Sequence, residues 1–445
     1  MNLRILTLAA LSIPAASLLA QQQPDLSNLI TMPEAGAGVS PLQQSEEYTK
    51  TEAQKKAESP KVFSVSVAAR EQYDDNIYTS HDNKTSDFET ILSPSFLFNY
   101  PMTDTLLSAR YTFGATAYAD RDKTFDTSHD LVLRANHTFS SRFSLDVRDR
   151  VHYDNQPEID AGSTVNRVAG TYLNNTFSIQ GTTTWTPKLS TVTSYTNDYF
   201  TYDDPSIASV NNRDTHTFQN DFRYSLSPTV TLVNGFSVNI NNYEHKAFVP
   251  GGQLAFDPSI GFYLTPDQMI SRDWNSYALY TGADWTLLPE LTVGARAGGN
   301  YTTYSANNID SAFSPYATAF VTWQTGAKSS VDFSYFHSVS PTDIGAYSSA
   351  TSDALSLTGT YKFTPKLTGR VQGSYTMNLN EANTSVSQNV SDYHENTLGV
   401  TLSLGYDFTQ YLNFNLGYSY TNVDADSIVS SYNRNQVSLG LTASF

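Results

Sequence analysis

The chain contains no cysteine. Disulfide staples, thiolate metal centres and an amino-terminal lipid anchor on cysteine are all excluded. Basic residues are scarce: 26 Lys and Arg stand against 43 Asp and Glu, for a formal net charge of -17. Nucleic acid attracts basic surfaces, so no nucleic-acid partner is expected. After residue 20 there is no apolar run of the length that a spanning helix requires. That absence excludes helical membrane proteins only. In a transmembrane barrel half of each strand faces water, so long apolar runs are not needed. What the chain does have is aromatic side chains, with 29 Tyr and 24 Phe. Such an excess suits the two interfacial girdles of a barrel.

The amino terminus, MNLRILTLAALSIPAASLLA, carries one early positive charge at Arg4, then an apolar stretch, then Ala20 ahead of three glutamines. This layout predicts a secretory signal peptide over residues 1–20. Residues 21–60 are rich in Gln, Pro and Gly and lack periodicity. They read as a periplasmic flexible linker, with a short helix over 45–58 that Ser45 would cap.

From residue 61 to 445 one pattern repeats. Alternating segments are joined in turn by tight turns and by longer polar loops. The tight turns share a chemistry: YPMTDTL at Tyr100, WTPKLS at Trp185, LSPTVTL at Leu226, LLPELTV at Leu287, FTPKLTG at Phe363 and FTQYLNF at Phe408. Proline presets φ for a turn and cannot continue a ladder. With FSSRF at Phe139 and TGAK at Thr325 there are about eight tight turns and about nine longer connections. The expected fold is therefore all-β: a transmembrane antiparallel up-and-down β-barrel of about eighteen strands, with its short turns on the periplasmic side. The longer loops hold most of the acidic excess, which places the negative charge on the outer rim.

Facing follows from parity. Over 397–408, Leu398, Val400, Leu402, Leu404 and Tyr406 oppose Thr397, Gly399, Thr401, Ser403 and Gly405. A barrel this wide turns its apolar faces to lipid and its polar faces to an aqueous lumen. Residues 189–200 alternate poorly, and Pro94 and Pro315 inside proposed strands predict bulges or shifted boundaries. The final segment, YNRNQVSLGLTASF, puts Val437, Leu439, Leu441, Ala443 and Phe445 on one face. It resembles the terminal assembly signal of outer-membrane barrels, carried here by Ser438, Gly440, Ala443 and Phe445. Ala443 departs from the larger residue common in that place.

Tyr73-Asp74-Asp75-Asn76-Ile77, Ser86-Asp87 and Leu92-Ser93-Pro94 resemble motifs of the Putative beta-barrel porin 2 family of outer-membrane proteins. The likeness extends loosely over 61–445. It implies a barrel with no known catalytic residues, some of whose relatives are associated with export of extracellular polysaccharide. It supplies no site residue to carry over.

The candidate site is the inner wall. Arg70, Arg110, Arg134, Arg148, Arg150 and Arg223 take the polar parity, as do Asp146, Asp221, Asp284, Asp332 and Asp407. An arginine in hydrocarbon is costly, so this shared parity argues for a wet lumen. Arg134, Arg148 and Arg150 should form one basic patch, and the loop over 245–272 is the candidate constriction. Of the possible hydrolytic groupings, Ser128-His129-Asp130 and His81-Asp82 have neighbours on opposite faces and make no triad by themselves. His337 and His394 could still meet acids from other strands. Asp74, Asp75, Asp203, Asp204, Asp424 and Asp426 read as solvated loop charge rather than a metal site, and no cofactor is expected.

The reading is a non-enzymatic porin-like channel for passive diffusion of small polar solutes. It would sit in the outer membrane of a bacterium with a double-membrane envelope. Its expected partners are outer-membrane lipid and the barrel assembly machinery. A barrel component of polysaccharide export, with periplasmic or export partners, is one alternative, and an outer-membrane barrel hydrolase is another.

Overall fold

Period-two alternation commits a chain to strands, because successive side chains point to opposite faces. The computed structural model describes residues 62–120, 125–155, 170–249, 254–257, 261–264, 268–306, 310–340, 349–380, 392–426 and 431–445. The expected signal peptide and linker lie outside the described residues.

The first nine strands are β1 (Phe63–Asp74), β2 (Asp87–Pro101), β3 (Thr105–Tyr118), β4 (Phe125–Ser140), β5 (Phe143–Asp154), β6 (Tyr172–Thr186), β7 (Leu189–Tyr202), β8 (Arg213–Ser225) and β9 (Val230–Tyr243). A short helix α1 (Pro205–Asn211) lies between β7 and β8. The long loop after β9 holds β10 (Ala247–Val249), β11 (Leu254–Asp257), β12 (Gly261–Leu264) and β13 (Gln268–Ile270). Then come β14 (Trp274–Leu288), β15 (Leu291–Tyr304), β16 (Ala312–Gly326), β17 (Ser329–Ser340) and β18 (Ala350–Lys362). The chain finishes with β19 (Leu367–Asn380), β20 (Tyr393–Asp407), β21 (Leu412–Ala425) and β22 (Tyr432–Ser444).

The long strands make one 18-stranded antiparallel sheet. β9 pairs directly with β14, leaving the short strands of the loop outside the ladder. β22 pairs back onto β1, with Arg70 opposite Gly440, so the sheet is a closed barrel. The aromatic carboxy-terminal residue takes part: the Phe445 amide donates to Val65 O at 2.8 Å and the Val65 amide donates to Phe445 O at 3.2 Å.

The tight turns fall where the sequence placed them, and four of them share a hydroxyl device, three of these together with a proline. Thr364 Oγ1 accepts from the Lys366 and Leu367 amides at 3.2 and 2.9 Å. Thr409 Oγ1 accepts from the Tyr411 and Leu412 amides, both at 3.1 Å. Thr186 does the same for Lys188 and Leu189, and Ser227 for Thr229 and Val230. One side-chain oxygen thus satisfies two amides that the ladder leaves open at the turn. FTQYL needs no proline because it keeps the threonine.

Neither suspected proline breaks its strand. Pro94 keeps its place opposite Val67 on the β1 side, while the β2–β3 register is interrupted between Leu92 and Ser95. Pro315 lies opposite Gly299 on β15, and the β16–β17 ladder begins only at Ala317. Each proline therefore stands where one side of the ladder is open and no amide is called for. Register shifts occur instead at the short-turn ends of strands, between Thr138 and Ser140, Thr184 and Thr186, Thr286 and Leu288, and Trp323 and Gly326.

Facing is consistent around the ring. Buried Arg70, Gln72 and Asp74 share one parity of β1, and exposed Val67 and Tyr73 share the other. On the outward face, exposed Trp185, Tyr224, Trp285, Trp323, Tyr361 and Tyr406 mark a lower aromatic girdle near the short turns. Tyr73, Phe88, Tyr199, Tyr277, Tyr301 and Phe313 mark an upper one. Two girdles flanking an apolar band are the outer surface that a bilayer selects.

Candidate pore-lining site

Cross-strand pairing keeps residues of one face opposite one another, so the inner wall can be followed strand by strand. Arg70, Arg110, Arg134, Arg148, Arg150, Arg223, Asp146, Asp221, Asp284, Asp332 and Asp407 all lie on it. They gather into separate groups rather than one field.

The first group spans β3 to β5. Buried Asp130 accepts from Arg150 Nε at 2.6 Å, with Arg110 Nη2 at 3.6 Å and His152 Nδ1 at 3.4 Å. Arg134 grips Asp146 through Nε at 3.0 Å and Nη2 at 2.8 Å, and Asn136 Nδ2 donates to the same oxygen at 2.9 Å. Arg148 lies opposite Arg134 and makes no ion pair among the described residues. Thus Arg134, Arg148 and Arg150 do share one wall, but two of the three are neutralised there. The free positive charge is at Arg148.

A second group lies on the wall formed by β8, β9, β14 and β15. Asp284 accepts from Arg223 Nη2 at 2.7 Å and forms an ion pair with Arg296, whose Nη1 lies 2.6 Å from its other oxygen. The Tyr280 hydroxyl donates to Asp221 Oδ1 at 2.6 Å and accepts from Gln219 Nε2 at 2.8 Å. Tyr280 stacks on Tyr316 with ring centres 4.9 Å apart, and Tyr316 meets Phe336 edge-on. Tyr280 stands between Gly235 and Gly298 on the neighbouring strands. A Cβ at Gly235 would come within 2.5 Å of the Tyr280 ring, so this glycine makes room for the aromatic. Arg296 escaped the sequence reading, although it shares the polar parity with Gly294, Gly298 and Asn300.

The third group closes the barrel at the outer end. Asp74, read from sequence as a loop acid, is the last residue of β1 and is 0% exposed. It pairs with Arg434 of β22, whose Nε donates at 2.6 Å, and accepts from Gln436 Nε2 at 3.0 Å. Asp75 accepts from the Asn435 amide at 2.7 Å, and Asn76 Nδ2 donates to Asn433 O at 2.9 Å. The motif Tyr73-Asp74-Asp75-Asn76 is therefore the clasp between the first and last strands. Arg434 was not anticipated, because its partner is at the other end of the chain.

Three of the remaining loop acids, Asp203, Asp204 and Asp426, have protein partners of their own. Asp204 caps α1 by accepting from the Ser206 amide at 2.8 Å, and the Ser206 hydroxyl and amide hold its carboxyl below the ordinary value. Asp426 accepts from the His394 amide at 2.8 Å, which likewise lowers it. Asp203 accepts from the Tyr153 hydroxyl at 2.9 Å. Among the histidines, His129 points outward while Ser128 and Asp130 point inward, so that run forms no triad. His337 is also outward, at 2.8 Å from Asp353 and away from the lumen. Of the loop expected to constrict the lumen, residues 250–253, 258–260 and 265–267 lie outside the described residues. At its foot the Arg272 guanidinium sits 4.0 Å from the centre of the Tyr243 ring.

The inner wall is graded in exposure. Toward the outer end Asn241, Asn300, Asn380 and Glu395 are almost wholly buried. Toward the short turns Thr138, Arg134 and Asp332 are exposed. Not every inner-wall residue near the short turns is open, since Thr368 and Asp407 are buried there.

A family model described as "Putative beta-barrel porin 2" matches residues 62–445, the whole barrel. The chain belongs to this family. No curated protein matches it in sequence. Among solved structures, OccAB4 of Acinetobacter baumannii is 12% identical with a TM-score of 0.43, covering 87% of this chain and 99% of that one. OpdK of Pseudomonas aeruginosa, solved with vanillate, is 11% identical with a TM-score of 0.45 over 86% and 99%. The FrpB iron transporter of Neisseria meningitidis is 11% identical with a TM-score of 0.44 over 86% and 82%. At these identities and scores the likenesses say nothing of what this porin-family barrel carries.

Proposed function

We propose that this barrel is an outer-membrane channel for passive diffusion of small polar solutes. It would work in a bacterium with a double-membrane envelope. The observation that carries the reading is the division of faces. Charged and amide side chains line the inside of a closed 18-stranded barrel, and an apolar band between aromatic girdles forms the outside. Barrels of this size enclose an aqueous passage. Its inner charges would bias which solutes enter by adding attraction or repulsion at the wall.

A second reading is favoured by one observation. The buried polar side chains at the outer end, Asn241, Asn380 and Glu395 among them, support a passage that rests closed and opens on a signal, as an export component would. Purified protein in planar bilayers separates the two. Steady conductance from the moment of insertion supports free diffusion. Insertion without conductance, or with only brief openings, supports the gated reading.

A further inference from the structure

The outward surface is not uniform. From β15 round through β22 and β1 to β4, the middle of the band is apolar, and polar side chains such as Glu71 with Thr90, His129, and His337 with Asp353 stand three or four residues from the outer ends of their strands. Val371, Leu402, Leu416 and Leu439 are exposed examples of the apolar middle. The arc from β5 to β14 differs. On β5, Asp149 faces outward between Phe143 and Tyr153, and its carboxylate accepts from Asn175 Nδ2 at 2.7 Å. On β7 and β8, Asn220 Nδ2 donates to Thr193 Oγ1 at 2.5 Å. Next to them on β9 and β14, Thr281 Oγ1 donates to Asn234 Oδ1 at 2.8 Å. Register places this last pair midway between the girdles: Trp285 is opposite Val230, Thr281 opposite Asn234, and Tyr277 opposite Val238. Above them Asn197, Asp214, His216 and Tyr195 continue the polar surface to the upper girdle.

Polar and ionisable groups at bilayer depth are costly against lipid, and they are retained where protein or water covers them. Water is on the other side of this wall, so the cover must be protein that is itself embedded in the membrane. Asn and Thr both donate and accept hydrogen bonds, so a surface built from them is complementary to itself. It carries one carboxylate at mid-depth and requires no partner of large opposite charge. We propose that the outer face of β5–β9 and β14 is the contact surface for a second copy of this chain, and that the protein works as a homo-oligomer. The inference rests on the barrel lying in a membrane, but not on what passes through it.

The absence of cysteine allows a clean test. Asn220→Cys and Thr193→Cys place a single thiol on the polar arc, and Leu402→Cys places one on the apolar arc. Outer membranes bearing each variant are treated with a flexible bifunctional maleimide. Species of two or more chain masses from the first two variants, and none from Leu402→Cys, are expected. Monomer alone from all three would overturn the proposal, as would equal cross-linking from all three. A cross-linked band containing a different protein would overturn the choice of a second copy. The double variant Asn220→Leu, Thr193→Val suits lipid at least as well as the native pair, so its barrel should still fold and remain heat-modifiable. Its mass in mild detergent should fall from the oligomer to one chain. An unchanged mass would overturn the proposal. Recovery of the native chain outside the membrane fraction would overturn the membrane reading as well, whereas a membrane-inserted, heat-modifiable monomer would overturn the oligomer alone.

Discussion

Arg134 and Arg148 face one another across β4 and β5, yet only Arg134 is held by a carboxylate. Arg148→Glu reverses a charge on the inner wall without leaving a buried acid stranded, which Arg150→Glu would do to Asp130. If the lumen conducts, reversal potentials under a salt gradient should shift toward cations, and the shift should shrink as salt screens the wall. An unmoved reversal potential in a folded, conducting barrel would remove Arg148 from the ion path. The outward face has its own test. Leu402 is 42% exposed on the apolar arc, and its neighbour Thr401 points inward. Leu402→Arg should destabilise the barrel by roughly 2–4 kcal/mol near mid-membrane, and Thr401→Arg much less. Urea unfolding of the two in lipid vesicles gives the comparison, and equal losses would contradict the facing. Parity made these positions legible, because alternation is a local property of the chain. Partners were not legible. Arg223 meets Asp284 across 61 positions of sequence, and nothing near either residue announces the other.

Strands β20, β21 and β22 could be read in detail because each has one apolar and one polar parity. The strand β7 could not, and the structure gives the reason. Its outward face holds Thr191, Thr193, Tyr195 and Asn197, while Phe200 and Tyr202 point inward and pack on Tyr172. A strand that turns hydroxyls outward and rings inward defeats a rule built on lipid outside and water inside. Turns were placed correctly from proline and aromatic residues, although at four of them the hydroxyl of Thr186, Ser227, Thr364 or Thr409 also holds two turn amides. The last strand carries a prediction of its own. Phe445 is 66% exposed and both its backbone groups bond to Val65, so it joins the barrel through its main chain and leaves its ring available. Deleting it removes two ladder bonds and the aromatic end together, whereas Phe445→Asp keeps the ladder bonds and replaces the ring with a carboxylate. Both should sharply lower the amount of heat-modifiable protein in the outer membrane. If only the deletion does so, the backbone bonds matter and the ring does not.

A ring of antiparallel neighbours has low-cost contacts everywhere except at one place, where β22 must find β1. Elsewhere each strand meets the one made just before it, across a turn or a loop. At the seam Asp74 and Arg434 are separated by 360 positions. Asp74→Asn keeps the shape of the side chain but leaves Arg434 without its buried counter-charge, and removing one member of such a pair typically costs about 3–5 kcal/mol. Asp74→Asn should therefore raise the fraction of newly made chains that remain protease-sensitive and unclosed, with little change in the conductance of those that close. Normal closure of the variant would show that the ladder alone suffices. A slip of two residues, the smallest that keeps both faces right, would carry Arg434 about 7 Å from Asp74. The seam thus works as a register check, since only one alignment of the two ends of the chain brings the buried acid and its arginine together.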